Sequence, residues 1–218
     1  MDIACVSDCH GNLNFEVPKS DLLLIAGDIC PARHNKFLSI DMQYEWLEVK
    51  FIPWLNNQPV KEIVFVFGNH DWIGDYKPLK LPEMPNNCHY LEDVFIEIMS
   101  KKIYGTPVQP PFYDWAFNRR EGVIQLHWDK IPEGLDMLLL HCPPYGILDQ
   151  TNHPEYPSRR IGSKSLLERI KKVKPKYVIF GHNHGENGIV EQDGITYVNC
   201  SIVNERYKLT RKPIILEI

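Results

Sequence analysis

The chain alternates between short apolar runs and polar breaks. The runs in DIACVSD, DLLLIAGD, EIVFVFGNHD, DMLLLHC and YVIFGHNH end at Asp8, Asp28, Asp71, Cys142 and His184. Runs of four to eight apolar residues, with no polar alternation, predict strands buried on both faces. Helical periodicity lies between some of them. Ile40 to Leu55 carries an apolar stripe and predicts a helix broken or kinked at Pro53. Leu166, Leu167, Ile170 and Val173 fall on one helical face. Ser165 with Glu168 has the spacing of a capping box, Ser163 is an alternative start, and Pro175 is the stop. Strands alternating with helices predict an α/β fold containing parallel strand pairs.

The C-terminal part reads differently. GIVEQDGITYVNCS places Asp193-Gly194 between two β-type stretches, the signal of a tight hairpin turn. KPIILEI predicts a last strand, and Ile98 to Gly105 another. Residues 106–134 and 143–161, rich in Pro, Gly and aromatics, predict long loops. No repeat or low-complexity linker interrupts the 218 residues, which predicts one domain over 1–218.

Composition narrows the function. An apolar content of 44% with 17 prolines suits a globular chain able to bury a sizeable core. The net charge of −4, from 24 basic and 28 acidic residues, argues against stable binding to long nucleic acid. It leaves room for a small phosphate ester held through metal ions. The opening MDIACVSD already reads as a strand, so no secretory leader is expected, and no apolar run nears the ~20 residues of a membrane span. The six cysteines show no CxxC pair and no zinc spacing, so reduced thiols and a cytoplasmic location are expected.

In open α/β sheets, ligands sit outside the carboxyl ends of the strands. Five such ends carry Asp8 and His10; Asp28; Asn69, His70 and Asp71; His141; and His182 and His184. Any one of these alone reads as a turn or a hydrogen-bonded histidine. Together they point to metal ligation. Residues i and i+2 of an extended chain point the same way, so His182 and His184 are expected to aim at one spot. Imidazole and carboxylate without thiolate suit Mn, Fe, Zn or similar ions. The candidates are too many for one tetrahedral ion. A pair of ions roughly 3.5–4 Å apart, sharing a carboxylate, would absorb them, acidify a bridging water and clamp phosphate oxygens.

The motif order SDCHG, AGDI, FGNHD, LLHCPP and FGHNH resembles the calcineurin-like metallophosphoesterase superfamily over residues 8–184. YGTPVQPPFYDWAFN, LLLHCPPYGILDQ, RIGSKSLLERIKKVKPKYVIFGH and the tail VNCSIV…KPIILEI resemble the small brain-type metallophosphoesterase-domain proteins, relatives of class III cyclic-nucleotide phosphodiesterases. The resemblance implies a four-layer αββα sandwich of two mixed sheets flanked by helices. It implies two divalent ions, Mn²⁺ first, with Fe, Zn, Mg, Co or Ni as alternatives. Asp8, His10, Asp28 and His184 would hold one ion; Asp28, Asn69, His141 and His182 would hold the other, with Asp28 bridging. His70 would be the general acid or charge stabiliser, and Asp71 would orient its ring. The subgroup usually has Glu directly after its last motif histidine. Here Gly185 intervenes before Glu186.

The expected activity is a phosphodiesterase of small substrates such as cyclic nucleotides. A protein Ser/Thr phosphatase usually carries Asp-Arg-Gly after its Gly-Asp motif and Arg before Gly-Asn-His, and GDICPARHN and VFGNHD lack both. A metal-stabilised binding protein is the alternative of another class, against which the intact ligand set stands. For substrate contacts, Asn69, Arg33 and Tyr145 are the candidates. Trp72, Tyr113 and Trp115 either stack a base or cover the core, and His34, Arg159 and Arg160 either meet phosphate or face solvent. His89, His127 and His153 fit no motif. Cys9, Cys30 and Cys142 adjoin presumed ligands and either pack as small apolar groups or form an oxidation-sensitive site.

Overall fold

The computed structural model describes residues 1–31, 36–77, 80–151 and 158–218. In the first sheet β1 (Asp2–Val6), β2 (Ser20–Ala26), β3 (Val60–Val66) and β4 (Cys88–Tyr90) run parallel. The predicted last strand, β13 (Ile214–Glu217), closes that sheet antiparallel to β1. The second sheet holds β5 (Val94–Ile98), β6 (Lys101–Thr106), β7 (Met137–Leu140), β10 (Tyr177–Phe180), β11 (Gly188–Gln192) and β12 (Ile195–Asn199), in the order β11-β12-β10-β7-β6-β5. Its four central strands are parallel and its two edges antiparallel. A small ribbon pairs β8 (Gln150–Thr151) with β9 (Arg159–Arg160).

The unbroken apolar runs have a direct cause. Alternate residues of β1 and β2 serve two different cores. Ile3, Cys5, Leu22, Leu24 and Ala26 face the second sheet and meet Met137, Leu139, Ile179 and Val198. Ala4, Val6, Leu23 and Ile25 face outward onto Ile40, Leu47, Phe51 and Leu55. The outer face of the second sheet, with Leu138, Leu140, Val178 and Phe180, packs on Ile124, Trp128, Leu166 and Ile170. Three apolar cores separate four layers, helix–sheet–sheet–helix, as the resemblance implied.

On the outer side of the first sheet, α1 (Lys36–Trp46), one π-helical turn (Leu47–Phe51) and α2 (Ile52–Asn56) form a continuous helical run. The disturbance expected at Pro53 is that wide turn, which spares the ring a clash with the preceding turn's carbonyl. The short α3 (Trp72–Tyr76) follows β3, and on the far side lie α4 (Val123–Trp128) and α5 (Lys164–Val173). Ser163, not Ser165, caps α5: its extended backbone lets Oγ accept from Leu166 N at 3.1 Å. Ser165 is already helical, and its Oγ accepts from Trp128 Nε1 at 3.2 Å. Residues 106–134 are not all loop, since α4 buries Ile124 and Trp128 there. The strand expected over 98–105 is the second arm of a hairpin that turns at Met99-Ser100, both left-handed. The Asp193-Gly194 turn joins β11 to β12 as predicted.

Candidate metal centre

The carboxyl ends of β1, β2, β3, β7 and β10 all open toward one place. Beyond them the backbone leaves strand geometry: Asp8 (φ 61°), His10 (φ 46°), Asp28 (φ 50°) and His182 (φ 66°) are all left-handed. That region is uncommon outside glycine, and residues held there cluster at functional sites. The twist at His182 also corrects the expectation that His182 and His184 aim at one spot. The chain is not extended there, so the two rings separate. His184 joins Asp8 and His10, while His182 joins Asp28 and His141. Asn183, between them, turns away and donates to Leu148 O and Gln150 O at 3.0 and 3.2 Å.

Each of these groups brings ligand-type atoms within 4.8 Å of one another, and a third contains His10, Asp28 and His70. The Asp28 carboxylate stands between them, 3.4 Å from His141 Nε2 and 3.8 Å from His10 Nε2. His10 Nε2 and His184 Nε2 are 3.1 Å apart, and Asn69 Oδ1 lies 2.9 Å from His141 Nε2. A side chain at Gly68 would overlap Asp28 Oδ1, and one at Gly181 would overlap Ser7 and Asp8. These two motif glycines are therefore required by close approach. Gly68 does not use a left-handed backbone to turn the chain.

Divalent cations fit this donor set. Asp8 and Asp28 are 0% and 2% exposed, and among the described residues their ion-pair partners are histidines alone, with no lysine or arginine. Two buried carboxylates without a fixed cation are costly. His141 is oriented by its Nδ1, which donates to Ala26 O at 2.9 Å, leaving Nε2 to face the cluster. Burial pushes His10 and His182 down to about 3, toward the neutral, ligating form. Burial also lowers His141, but the Asp28 charge outweighs it and holds that ring up at about 9. A cation at this position displaces such a proton. Asp8 falls to about 2: burial raises it, and the His184 hydrogen bond and charge overcome that.

His70 reaches the cluster from the β3 end. Its N–H donates to Asp28 Oδ1 at 2.8 Å, its carbonyl accepts from Gln43 Nε2 at 2.7 Å, and its ring packs on Trp115, tilted by 30° with centroids 4.2 Å apart. Its Nε2 is 3.9 Å from Asp28 Oδ2. Asp71 does not hold that ring. Its carboxylate turns into the backbone and accepts from Gly68 N, Cys30 N and Ile29 N at 2.7, 2.7 and 3.2 Å. Adjacent residues leave a turn in different directions, and Asp71 ties the β2 loop to the β3 loop. Burial, then the Asp28 charge, raise its pKa to about 7 against those three donors. Asp71→Asn would aim an amide donor at backbone donors. The expected outcome is a stability loss of about 1–3 kcal/mol in denaturant unfolding, with no change in leaving-group selectivity. A variant as stable as wild type would contradict this bracing role.

The remaining candidates divide. Arg33, His34 and His153 lie outside the described residues. Tyr145 carries Lys164 Nζ 4.8 Å from its ring centroid and makes no described contact with the histidines. Arg160 pairs with Asp149 at 2.6 Å. Trp72 belongs to the core, whereas Trp115 stands on His70. His89 and His127 pair with Glu62 and Asp93 away from the cluster. Glu186 accepts from Gln150 N at 2.6 Å and braces the loop under Asn183. Cys9, Cys30 and Cys142 are buried, and burial raises their thiols, Cys142 to about 12, which fits packing and not reactivity. Two neighbours of the site escaped the sequence reading. Gln43 is fully buried and bonds Pro31 O, His70 O and Ile73 N; a polar residue inside the apolar stripe of Ile40 and Leu47 was its signal. Tyr207 lies against His10 and His184, with no motif to mark it.

Two mixed sheets packed face to face, with histidine and carboxylate converging beyond their strand ends, define the class of metallophosphoesterases. The sequence profile described as Calcineurin-like phosphoesterase matches residues 1–186. The chain is 32% identical to human metallophosphoesterase domain-containing protein 1 over 98% of its own length and 70% of that protein. One solved structure superposes with a TM-score of 0.67 at 15% identity, covering 94% of this chain and 91% of the other. Phosphopantetheinyl hydrolase (PptH) from Mycobacterium tuberculosis gives 0.55 at 13%, over 94% and 90%. The chain belongs to the calcineurin-like phosphoesterase family, hydrolases of phosphate esters that use divalent metals.

Proposed function

We propose that the chain is a phosphodiesterase of small substrates, cyclic nucleotides foremost, working with two divalent ions, Mn²⁺ preferred. Asp8, His10, Asp28 and His184 would hold one ion, and Asp28, Asn69, His141 and His182 the other. The observation that carries this reading is the Asp28 carboxylate standing between two histidine groups, with His70 beside it. Bound there, the ions would act as Lewis acids toward the phosphate oxygens and acidify water. The protein's own part is to keep the carboxylates dry, to fix His141 through Ala26 O, and to hold the His70 ring against Trp115. His70 Nε2 is the atom from which a proton would pass to the leaving oxygen. Trp115 beside that atom favours a flat organic group on the ester. No helix among the described residues is long and apolar enough to cross a membrane. Six unpaired thiols support a reducing, cytoplasmic setting.

The test is hydrolysis of bis(p-nitrophenyl) phosphate. Activity should stop with chelator and return with Mn²⁺ better than with Mg²⁺, because imidazole ligands suit the softer ion. Elemental analysis should find up to two ions per chain. Full activity after exhaustive chelation would overturn the reading. A panel of cyclic and linear nucleotides then names the substrate.

A further inference from the structure

We propose that Tyr207 is a specificity-determining residue: its ring forms the outer wall of the site and packs against the organic group esterified to the phosphate. The proposal rests on the phosphodiesterase reading and adds which part of the substrate is recognised, and by what.

The ring lies over the cluster. Its centroid is 4.7 Å from His10, 5.1 Å from His184 and 6.2 Å from His70, edge-on in each case. Yet Tyr207 is 52% exposed, so the residue is only partly covered by the histidines it packs on. A ring serving only to pack would be covered. His70 therefore has two aromatic neighbours, Trp115 at 4.2 Å and Tyr207 at 6.2 Å. A leaving group that brings its oxygen to His70 comes close to both rings.

The backbone fixes the ring in this place. Val203 and Leu209 pair antiparallel, and between them Tyr207 N donates to Asn204 O at 2.8 Å. Asn204 Oδ1 accepts from Arg206 N and Lys208 N at 3.0 and 3.1 Å. This tight loop holds Tyr207 at φ 56°, a region that bulky residues rarely enter. Asparagine or glycine would suit such a turn better. Exposed cations, Arg206 and Lys208, flank it in sequence.

The test uses Mn²⁺-loaded protein and two inert phosphonates, phenylphosphonate and methylphosphonate, with binding read by calorimetry. Wild type should prefer the phenyl compound by about tenfold, the scale of one ring stacking on an aromatic side chain. Tyr207→Asn removes the ring and suits the left-handed backbone, so the turn survives. It should lose the preference while its affinity for methylphosphonate and its Mn²⁺ affinity stay within about twofold of wild type. Tyr207→Phe should keep the preference. A Tyr207→Asn protein that still prefers phenylphosphonate overturns the proposal, as does a wild type with no preference. Equal weakening toward both phosphonates together with lost Mn²⁺ also overturns it, since the ring would then be a cover for the metal ligands. A wild type that shows the preference and its loss, but cleaves no phosphodiester, leaves this inference standing and removes the activity reading.

Discussion

Replacing Asp28 with alanine is expected to lower kcat/KM on any phosphodiester by at least roughly 10³-fold, about 4 kcal/mol of transition-state stabilisation. The Asp28 carboxylate lies within 4 Å of three imidazoles: His141 at 3.4 Å, His10 at 3.8 Å and His70 at 3.9 Å. Under the proposed two-ion arrangement Asp28 would be the anion common to both groups, so its loss would weaken both. Asp28 also accepts the His70 N–H at 2.8 Å, so alanine disturbs the position of His70 as well. Asp28→Asn keeps the shape and an acceptor oxygen but removes the charge. It should retain the fold, bind less than two equivalents of Mn²⁺ and remain nearly inactive. Lys171→Ala, which loses only an exposed pair with Glu168 on α5, should be indistinguishable from wild type. Kinetics, elemental analysis and thermal unfolding on the three proteins make the comparison. If Asp28→Asn kept wild-type activity, the two-ion arrangement would be wrong.

The apolar runs were readable because β1, β2, β3, β7 and β10 are buried on both faces, where composition alone marks a strand. The edge strand β5 gave no such signal. Val94 and Phe95 of β5 are exposed, so that arm of its hairpin carries no continuous run. The helix α4 hides in a Pro- and Gly-rich stretch and shows only one turn and a half of pattern. The ligand-type residues were legible because each sits within four residues of the end of a buried run. Their directions were not. Left-handed backbone at His182 sent two nearby histidines to different groups, and the turn at Gly68 sent Asp71 into the backbone. Tyr207 is brought to the site by the tail, through the Ser7–Ser201 bridge and the loop that follows it. No local pattern encodes such a long-range approach.

The separation of His70 from Asp71 sharpens what His70 itself should do. His70→Ala is expected to cost roughly 10²–10⁴-fold in kcat/KM on a cyclic nucleotide, the usual range for general acid catalysis. On a p-nitrophenyl diester the loss should be clearly smaller. The difference follows from the leaving oxygen: a ribose hydroxyl departs poorly without a proton, whereas a nitrophenolate needs none. Burial lowers the ring's pKa and the Asp28 charge opposes it. An anionic phosphate arriving beside Nε2 favours the protonated form further, which is the form an acid needs. The ring is held by its packing on Trp115 and by backbone bonds to Asp28 and Gln43. Trp115→Ala should therefore give a milder version of the same selectivity, while Asp71→Asn should give none. The measurement is kcat/KM for both substrates on wild type and the three variants, with metal content checked in each. Equal losses on the two substrates would rule out the acid role and leave His70 a charge stabiliser of the phosphate. A His70→Ala protein short of metal would make it a ligand, completing the group it forms with His10 and Asp28.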